Sequence, residues 1–233
     1  MYKNKTFLAI IPARGGSKRL PRKNVLELEG KPLISWSIEA GLNSKYIDKV
    51  VVSSDDAQIL TLSQDTGATA LTRPAILATD TSSTFDVVEH CVSKYKDYDY
   101  IVLLQPTSPL RTVEQLDEAI ELLVYKEADS IISVSEVEHS PLWTNKIPSD
   151  GSMNDFIKDE LKDVRSQDLE SYFRLNGAIY IAKKDRLLRE KTFFLKSNIF
   201  AYKMNKESSI DIDEKIDFAL AGIYMKERRN ELK

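Results

Sequence analysis

Residues 7–24 read FLAIIPARGGSKRLPRKN. The first five are apolar without alternation, the pattern of a strand buried on both faces in a parallel sheet. Two adjacent glycines follow, and Arg14, Lys18, Arg19, Arg22 and Lys23 fall within ten residues. In open sheets covered by helices, ligands gather beyond the carboxyl ends of the strands, which places this cation-rich loop where an anion would sit. The loop is neither GxxxxGK[ST] nor GxGxxG, so neither a P-loop ATPase nor a dinucleotide fold is indicated. Gly15 and Gly16 can adopt positive φ and let backbone N–H groups converge on an anion that Arg14, Lys18 and Lys23 neutralise. A triphosphate fits that description, and a solvated basic turn is the alternative.

Further strands follow the same rhythm. KVVVSS (49–54), YIVLLQ (100–105) and SIISVS (130–135) read as buried strands, with NGAIYIA (176–182) resuming later. Helical patterns lie between them: PLISWSIEAGL with Pro32 at its first position, DAQILTLSQDTG stopping at Gly67, TSSTFDVVEHCVSKY, and TVEQLDEAIELLVYKEA. This alternation predicts an α/β fold with a mostly parallel sheet in a single domain over 1–233. Roughly 139–175 and 185–200 read as an extension built onto that sheet. The C-terminal DIDEKIDFALAGIYMKERR reads as an amphipathic helix, with Ile212, Ile216, Leu220 and Tyr224 at four-residue spacing.

The bulk properties narrow the function. A formal charge of −3 creates no global field for nucleic acid or anionic lipid, so an anion must be captured locally. No apolar run is long enough to span a bilayer or form a signal-peptide core, and the single cysteine, Cys91, reads as a buried core thiol; cytoplasmic residence is expected. His90 and His139 form no triad or metal pattern.

Three other segments carry candidate chemistry. In Asp211-Ile212-Asp213, residues two apart in an extended segment face one side, so both carboxylates could grip Mg²⁺, a cation that prefers oxygen ligands; capping of the next helix by Asp213 is the alternative. Gln105 ends a buried strand at QPTSPLR, where its amide could read a base edge or a sugar hydroxyl, or the segment is a proline-stiffened turn. Asp55 and Asp56 read as helix caps, with a role at the site as the alternative.

IIPARGGSK followed by KN, LLQPTSPLR, RSQD with NGAIYI (Arg165 to Ile181) and SIDID occur in an order that resembles the acylneuraminate cytidylyltransferases, including CMP-legionaminate and CMP-pseudaminate synthetases. The resemblance covers nearly the whole chain. It implies a Rossmann-like nucleotidyltransferase that moves a cytidylyl group from CTP to the anomeric hydroxyl of a nine-carbon α-keto acid sugar, with Mg²⁺, as a homodimer whose extension reaches over the partner's site. It assigns Arg14, Gly15, Gly16, Ser17, Lys18 and Lys23 to the triphosphate, with Arg14, Lys23 and Asp211 catalytic. Asn24, Arg73, Ser83 and Thr84 would meet cytidine, while Gln105, Arg165, Gln167, Asp168 and Tyr180 would surround the acceptor. Phe193 and Phe194 look like the aromatic pair a neighbouring subunit contributes, and Asp211 and Asp213 like the magnesium ligands. Two positions depart from the family: Arg19 stands where glycine is frequent, and Ser166 replaces the second arginine of RRQD. A catalytically silent nucleotide- or sugar-binding relative is a second reading, and a Kdo-type synthetase, whose first loop lacks GGSK followed by KN, is a third.

Overall fold

The computed structural model describes residues 1–79 and 81–231, the side chains of Ser166 and Glu231 excepted. The Ser166 side chain expected near the acceptor therefore lies outside the described residues.

The first strand, β1 (Phe7–Pro12), runs through the middle of a seven-stranded sheet, and its side chains divide by parity. Phe7, Ala9 and Ile11 join one core, and Leu8 and Ile10 the other. That is why the run shows no polar alternation: both faces are covered. A short hairpin, β2 (Glu27–Leu28) and β3 (Lys31–Pro32), leads into α1 (Leu33–Asn43). Then come β4 (Lys49–Ser54), α2 (Ala57–Asp65), β5 (Thr69–Thr72), α3 (Thr84–Lys94), β6 (Tyr100–Leu103) and α4 (Val113–Tyr125). The remainder is β7 (Ser130–Glu136), β8 (Phe173–Lys183), α5 (Lys184–Glu190), β9 (Ile199–Met204) and α6 (Lys215–Glu231).

Strand order is β5-β4-β1-β6-β8-β7-β9. Pairing is parallel except along β8, which is antiparallel to β6 and β7. Ile34 and Ile38 of α1 with Leu116, Ala119 and Ile120 of α4 cover one face; Val88, Cys91 and Val92 of α3 with Leu187 of α5 cover the other. Cys91 is fully buried, and burial pushes its thiol up to about 11, which makes it an inert packing group.

Several expectations need correction. Pro32 is the N-cap of α1 and not its first helical residue, and its ψ of 142° is extended because it also ends β3. Residues 137–172 carry only short 3₁₀ turns, whereas α5 packs Leu187 against the sheet and β9 pairs parallel with β7 within it. The C-terminal helix begins at Lys215, so Ile212 precedes it. Its buried face is Ala221 and Met225 with Phe218 and Tyr224 packed alongside, while Ile216 is 71% exposed and Leu220 faces water. A four-residue spacing does not say which stripe faces the core, and the contact is made with a small Ala that carries little pattern signal. Among the described residues, no helix is long and apolar enough to cross a membrane.

A third, smaller core decides where the site forms. Leu20 of the basic loop, Leu28, Leu33, Leu110 and Ile212 pack with Ala221 and Met225 of α6. Burial of Leu20 and Ile212 in one cluster draws the N-terminal loop and the acidic dyad together across nearly the whole chain.

Candidate active site

A cavity of about 590 Å³ opens where β1, β5 and β6 end. Of the residues expected at a site, Arg14, Ser17, Lys18, Lys23, Asn24, Arg73, Ser83, Thr84, Gln105, Asp211 and Asp213 line it. Arg19, the departure from the family's glycine, lines it too, as does Thr107, which had no expected role of its own.

The first loop is built differently from its reading in one respect. Neither Gly15 nor Gly16 has positive φ; the left-handed residue is Arg22, at φ 58°, immediately before the 3₁₀ turn Lys23–Val25. Gly15 is needed for close approach instead, because a Cβ there would lie 2.7 Å from Asp56 Oδ2. Its N–H donates to Asp55 Oδ1 at 3.0 Å and so anchors the loop itself. Asp56 caps α2 by accepting from the Ile59 N–H at 3.0 Å, and its ion pair with Arg22 holds its carboxyl below the usual range. Asp55 and Asp56 therefore brace the loop from the end of β4, one as a helix cap and one as an acceptor for Gly15.

Lys23 is nearly buried, and its ammonium donates to the Ile212 carbonyl while lying 3.6 Å from Asp213 Oδ1. Asn24, also buried, donates to the Arg14 carbonyl at 3.0 Å, which ties the two ends of the loop. Arg73, at the end of β5, donates to Ser53 Oγ at 3.2 Å and to the Ser53 carbonyl at 2.7 Å. Its burial lowers its pKa, with Asp55 opposing the shift. Ser83 and Thr84 open α3: Ser83 accepts from the Asp86 N–H at 3.1 Å and its own N–H donates to Asp86 at 3.0 Å, a reciprocal cap that fixes the helix start against the cavity.

On the opposite wall, the extended Asp211-Ile212-Asp213 segment alternates as its spacing predicts: both carboxylates line the cavity and Ile212 is in the core. Asp213 does not cap α6. That task falls to Asp217, which accepts from the N–H groups of Asp213 at 2.9 Å and Glu214 at 2.8 Å. Asp213 meets Arg19 Nη1 at 2.8 Å and Lys23. Asp211 is exposed at the cavity wall, yet protein around its carboxyl removes much of the bulk water, and this desolvation raises its pKa. The Thr107 hydroxyl donates to it and opposes the shift, Asp213 adds to it, and Lys23 opposes it. Thr107 was legible only as part of QPTSPLR; nothing local marks its hydroxyl as a partner for a residue 104 positions on.

Gln105 is placed by an irregularity in β8. Pairing of β7 with β8 slips between Ile132 and Val134, and Ser133 fills the gap by donating to Asn176 Oδ1 at 2.6 Å and accepting from the Ile179 N–H at 2.8 Å. The bulge sets Gly177 at φ 73° behind Gln105, where a Cβ would come within 2.9 Å of Gln105 Oε1. Gly177→Ala is expected to lower the unfolding free energy by about 1–3 kcal/mol through left-handed strain. Urea unfolding measures that cost, and acceptor KM rises with displacement of Gln105. Arg111, the last residue of QPTSPLR, is buried and donates to the Ala178 carbonyl and Ser37 Oγ, clamping the turn to β8 and α1.

The other residues expected around an acceptor do not line this cavity. Arg165 and Asp168 form an exposed local pair at 2.8 Å, with Gln167 exposed between them. Tyr180 stands near Asp211, and burial, with that carboxylate, raises its pKa. Phe193 is 7% exposed and belongs to this chain's own core, 5.9 Å from the Tyr180 ring, so it has no surface to lend a neighbouring subunit. Phe194, 6.2 Å from Tyr180, is half exposed.

Comparisons with known proteins place the chain among cytidylyltransferases. The chain is 39% identical over 228 residues to an N-acylneuraminate cytidylyltransferase of Escherichia coli O18:K1:H7, covering 97% of this chain and 54% of that protein. It is also 39% identical over 231 residues to the CMP-N,N'-diacetyllegionaminic acid synthase of Legionella pneumophila, covering 94% and 96%. The chain spans about half the length of several curated relatives it matches and nearly all of others. A solved CMP:2-keto-3-deoxy-manno-octonic acid synthetase superposes with a TM-score of 0.71 at 18% identity, covering 96% of this chain and 99% of that one, a likeness of fold. With residues 8–229 matching the family model described as cytidylyltransferase, the chain belongs to the acylneuraminate cytidylyltransferase family.

Proposed function

We propose that this chain transfers CMP from CTP to the anomeric hydroxyl of a nine-carbon α-keto acid sugar and releases pyrophosphate. The observation that carries this reading is the meeting of the cation-rich loop with Asp211 and Asp213 in one cavity, with Lys23 between them. A catalytically silent relative would be expected to lose that carboxylate pair or the loop lysines, and here they are assembled.

The donor set suits magnesium. Two carboxylates face one cavity, and no group of three His, Cys, Asp or Glu gathers among the described residues, so phosphate oxygens and water would complete a hard-cation shell. Asp211 and Asp213 would hold the ion. When bound, it would offset the negative charge on the α-phosphate and the departing pyrophosphate. Arg14, Lys18 and Lys23 add fixed positive charge around the triphosphate, so much of the rate comes from preorganised electrostatics. Asn24, Arg73, Ser83 and Thr84 hold cytidine, and Gln105 orients the acceptor. As the acceptor oxygen bonds to the α-phosphorus and the bond to the β-phosphate breaks, the hydroxyl proton passes to an Asp211 oxygen that the ion leaves free.

The extension carries exposed Ile147 and Met153, and exposed Phe173 and Leu175 open β8; this apolar surface fits cover by a second subunit. The protein is read as a cytoplasmic homodimer, which sedimentation tests directly. Pyrophosphate release from CTP is the test of the reaction, run with N-acetylneuraminate, N,N'-diacetyllegionaminate, pseudaminate and Kdo, with and without Mg²⁺. Metal-dependent turnover with a nine-carbon acid is expected. Preference for Kdo, or silence with all four despite CTP binding, would overturn the reading.

A further inference from the structure

Arg19 pairs with the acidic wall of the cavity. Its Nη1 donates to Asp213 Oδ2 at 2.8 Å, while Lys23 Nζ lies 3.6 Å from Asp213 Oδ1, so both oxygens of this carboxylate face cations of the chain. The two cations differ in freedom. The Lys23 side chain is 11% exposed and its ammonium is anchored on the Ile212 carbonyl. That of Arg19 is 65% exposed and, among the described residues, hydrogen-bonds only Asp213, although Leu20 beside it is fixed in the core. Arg19 also lines the cavity shared with Arg14, Ser17 and Lys18.

We infer that Arg19 is a placeholder cation, which neutralises Asp213 while the cavity lacks metal and nucleotide and transfers to the triphosphate when they enter. The inference rests on the reading of Asp213 as a metal-facing carboxylate. Two carboxylates in one cavity repel each other, and a mobile guanidinium is a low-cost way to offset one of them. A divalent ion arriving alone must compete with Arg19 for Oδ2. An arriving triphosphate draws Arg19 away, because phosphate oxygens match the planar guanidinium better than one carboxylate oxygen does. Metal and nucleotide then favour each other's binding, and Arg19 supplies part of that coupling.

Mn²⁺ binding followed by electron paramagnetic resonance, with no acceptor sugar present, tests this apart from turnover. Arg19→Gly is expected to bind Mn²⁺ alone about two- to five-fold more tightly than the wild type, the worth of releasing an exposed ion pair. With saturating CTP that advantage disappears or reverses. An Arg19→Gly affinity for Mn²⁺ alone no greater than wild type overturns the inference. So does an equal gain in Arg22→Gln, which removes the same charge from the loop without touching Asp213. Asp213→Asn separates the two layers of argument: unchanged Mn²⁺ binding with CTP present would sink the metal reading itself, whereas its loss alongside an inert Arg19→Gly sinks the placeholder alone.

Discussion

Asp211→Asn is expected to lower kcat on the order of 10³-fold while the folded protein becomes no less stable at neutral pH. The loss follows from the two roles proposed for this carboxylate, to hold a metal and to receive the acceptor proton. The stability result follows from linkage. Burial raises the Asp211 pKa in the folded chain, so the folded state holds that proton more tightly than the unfolded state does. The stability this confers is fully present below the unfolded carboxyl pKa and is lost as pH rises through the higher folded value. At neutral pH the ionised carboxylate is therefore a burden on the fold, which an uncharged amide relieves. Thermal unfolding at pH 7 is expected to show an unchanged or raised midpoint in Asp211→Asn, and the difference from wild type to shrink in acid. A large fall in the midpoint would mean that Asp211 is a structural residue whose loss of activity says nothing about chemistry.

Lys23→Met is expected to reduce kcat/KM by on the order of 10²-fold, the effect of removing one charge-assisted contact to the developing negative charge. Lys23 is the cation that the fold holds most firmly: nearly buried, tied to the Ile212 carbonyl and close to Asp213. Methionine keeps its length and apolar stem, so the packing around Leu20 and Ile212 survives. Steady-state kinetics with CTP varied checks the result. A change confined to KM would assign Lys23 to binding alone, and an unchanged kcat/KM would remove it from the reaction.

Much of this site was legible because it depends on local patterns that have one physical solution. An unbroken apolar run such as Phe7 to Ile11 has to be covered on both faces, and once that is accepted the loop after it must lie at the carboxyl edge of a sheet. The alternation at Asp211-Ile212-Asp213 likewise orients two carboxylates without knowledge of the fold. What escaped were features set by distant partners. The need for Gly15 comes from Asp56, 41 positions away, and Arg22, which carries the loop's left-handed backbone, pairs with the same carboxylate. The slip that seats Gly177 behind Gln105 depends on Ser133 and Asn176 meeting across two strands. The exposed stripe of α6 was misassigned because Ile216 and Leu220 are more apolar than Ala221, yet Ala221 is the residue that fits against Leu28 and Leu33. Motif order alone placed Arg165, Gln167 and Asp168 beside the acceptor, and within one chain they stay on the surface.

The central claim is that the cavity joins CTP to the anomeric oxygen of a nine-carbon acid. The most direct measurement is mass spectrometry of the product formed from CTP and an acceptor carrying ¹⁸O in its anomeric hydroxyl. Retention of the label in a CMP-sugar, with unlabelled pyrophosphate released, is the predicted result. Label-free CMP and unreacted sugar, or no nucleotide-linked product from any nine-carbon acid, would contradict it.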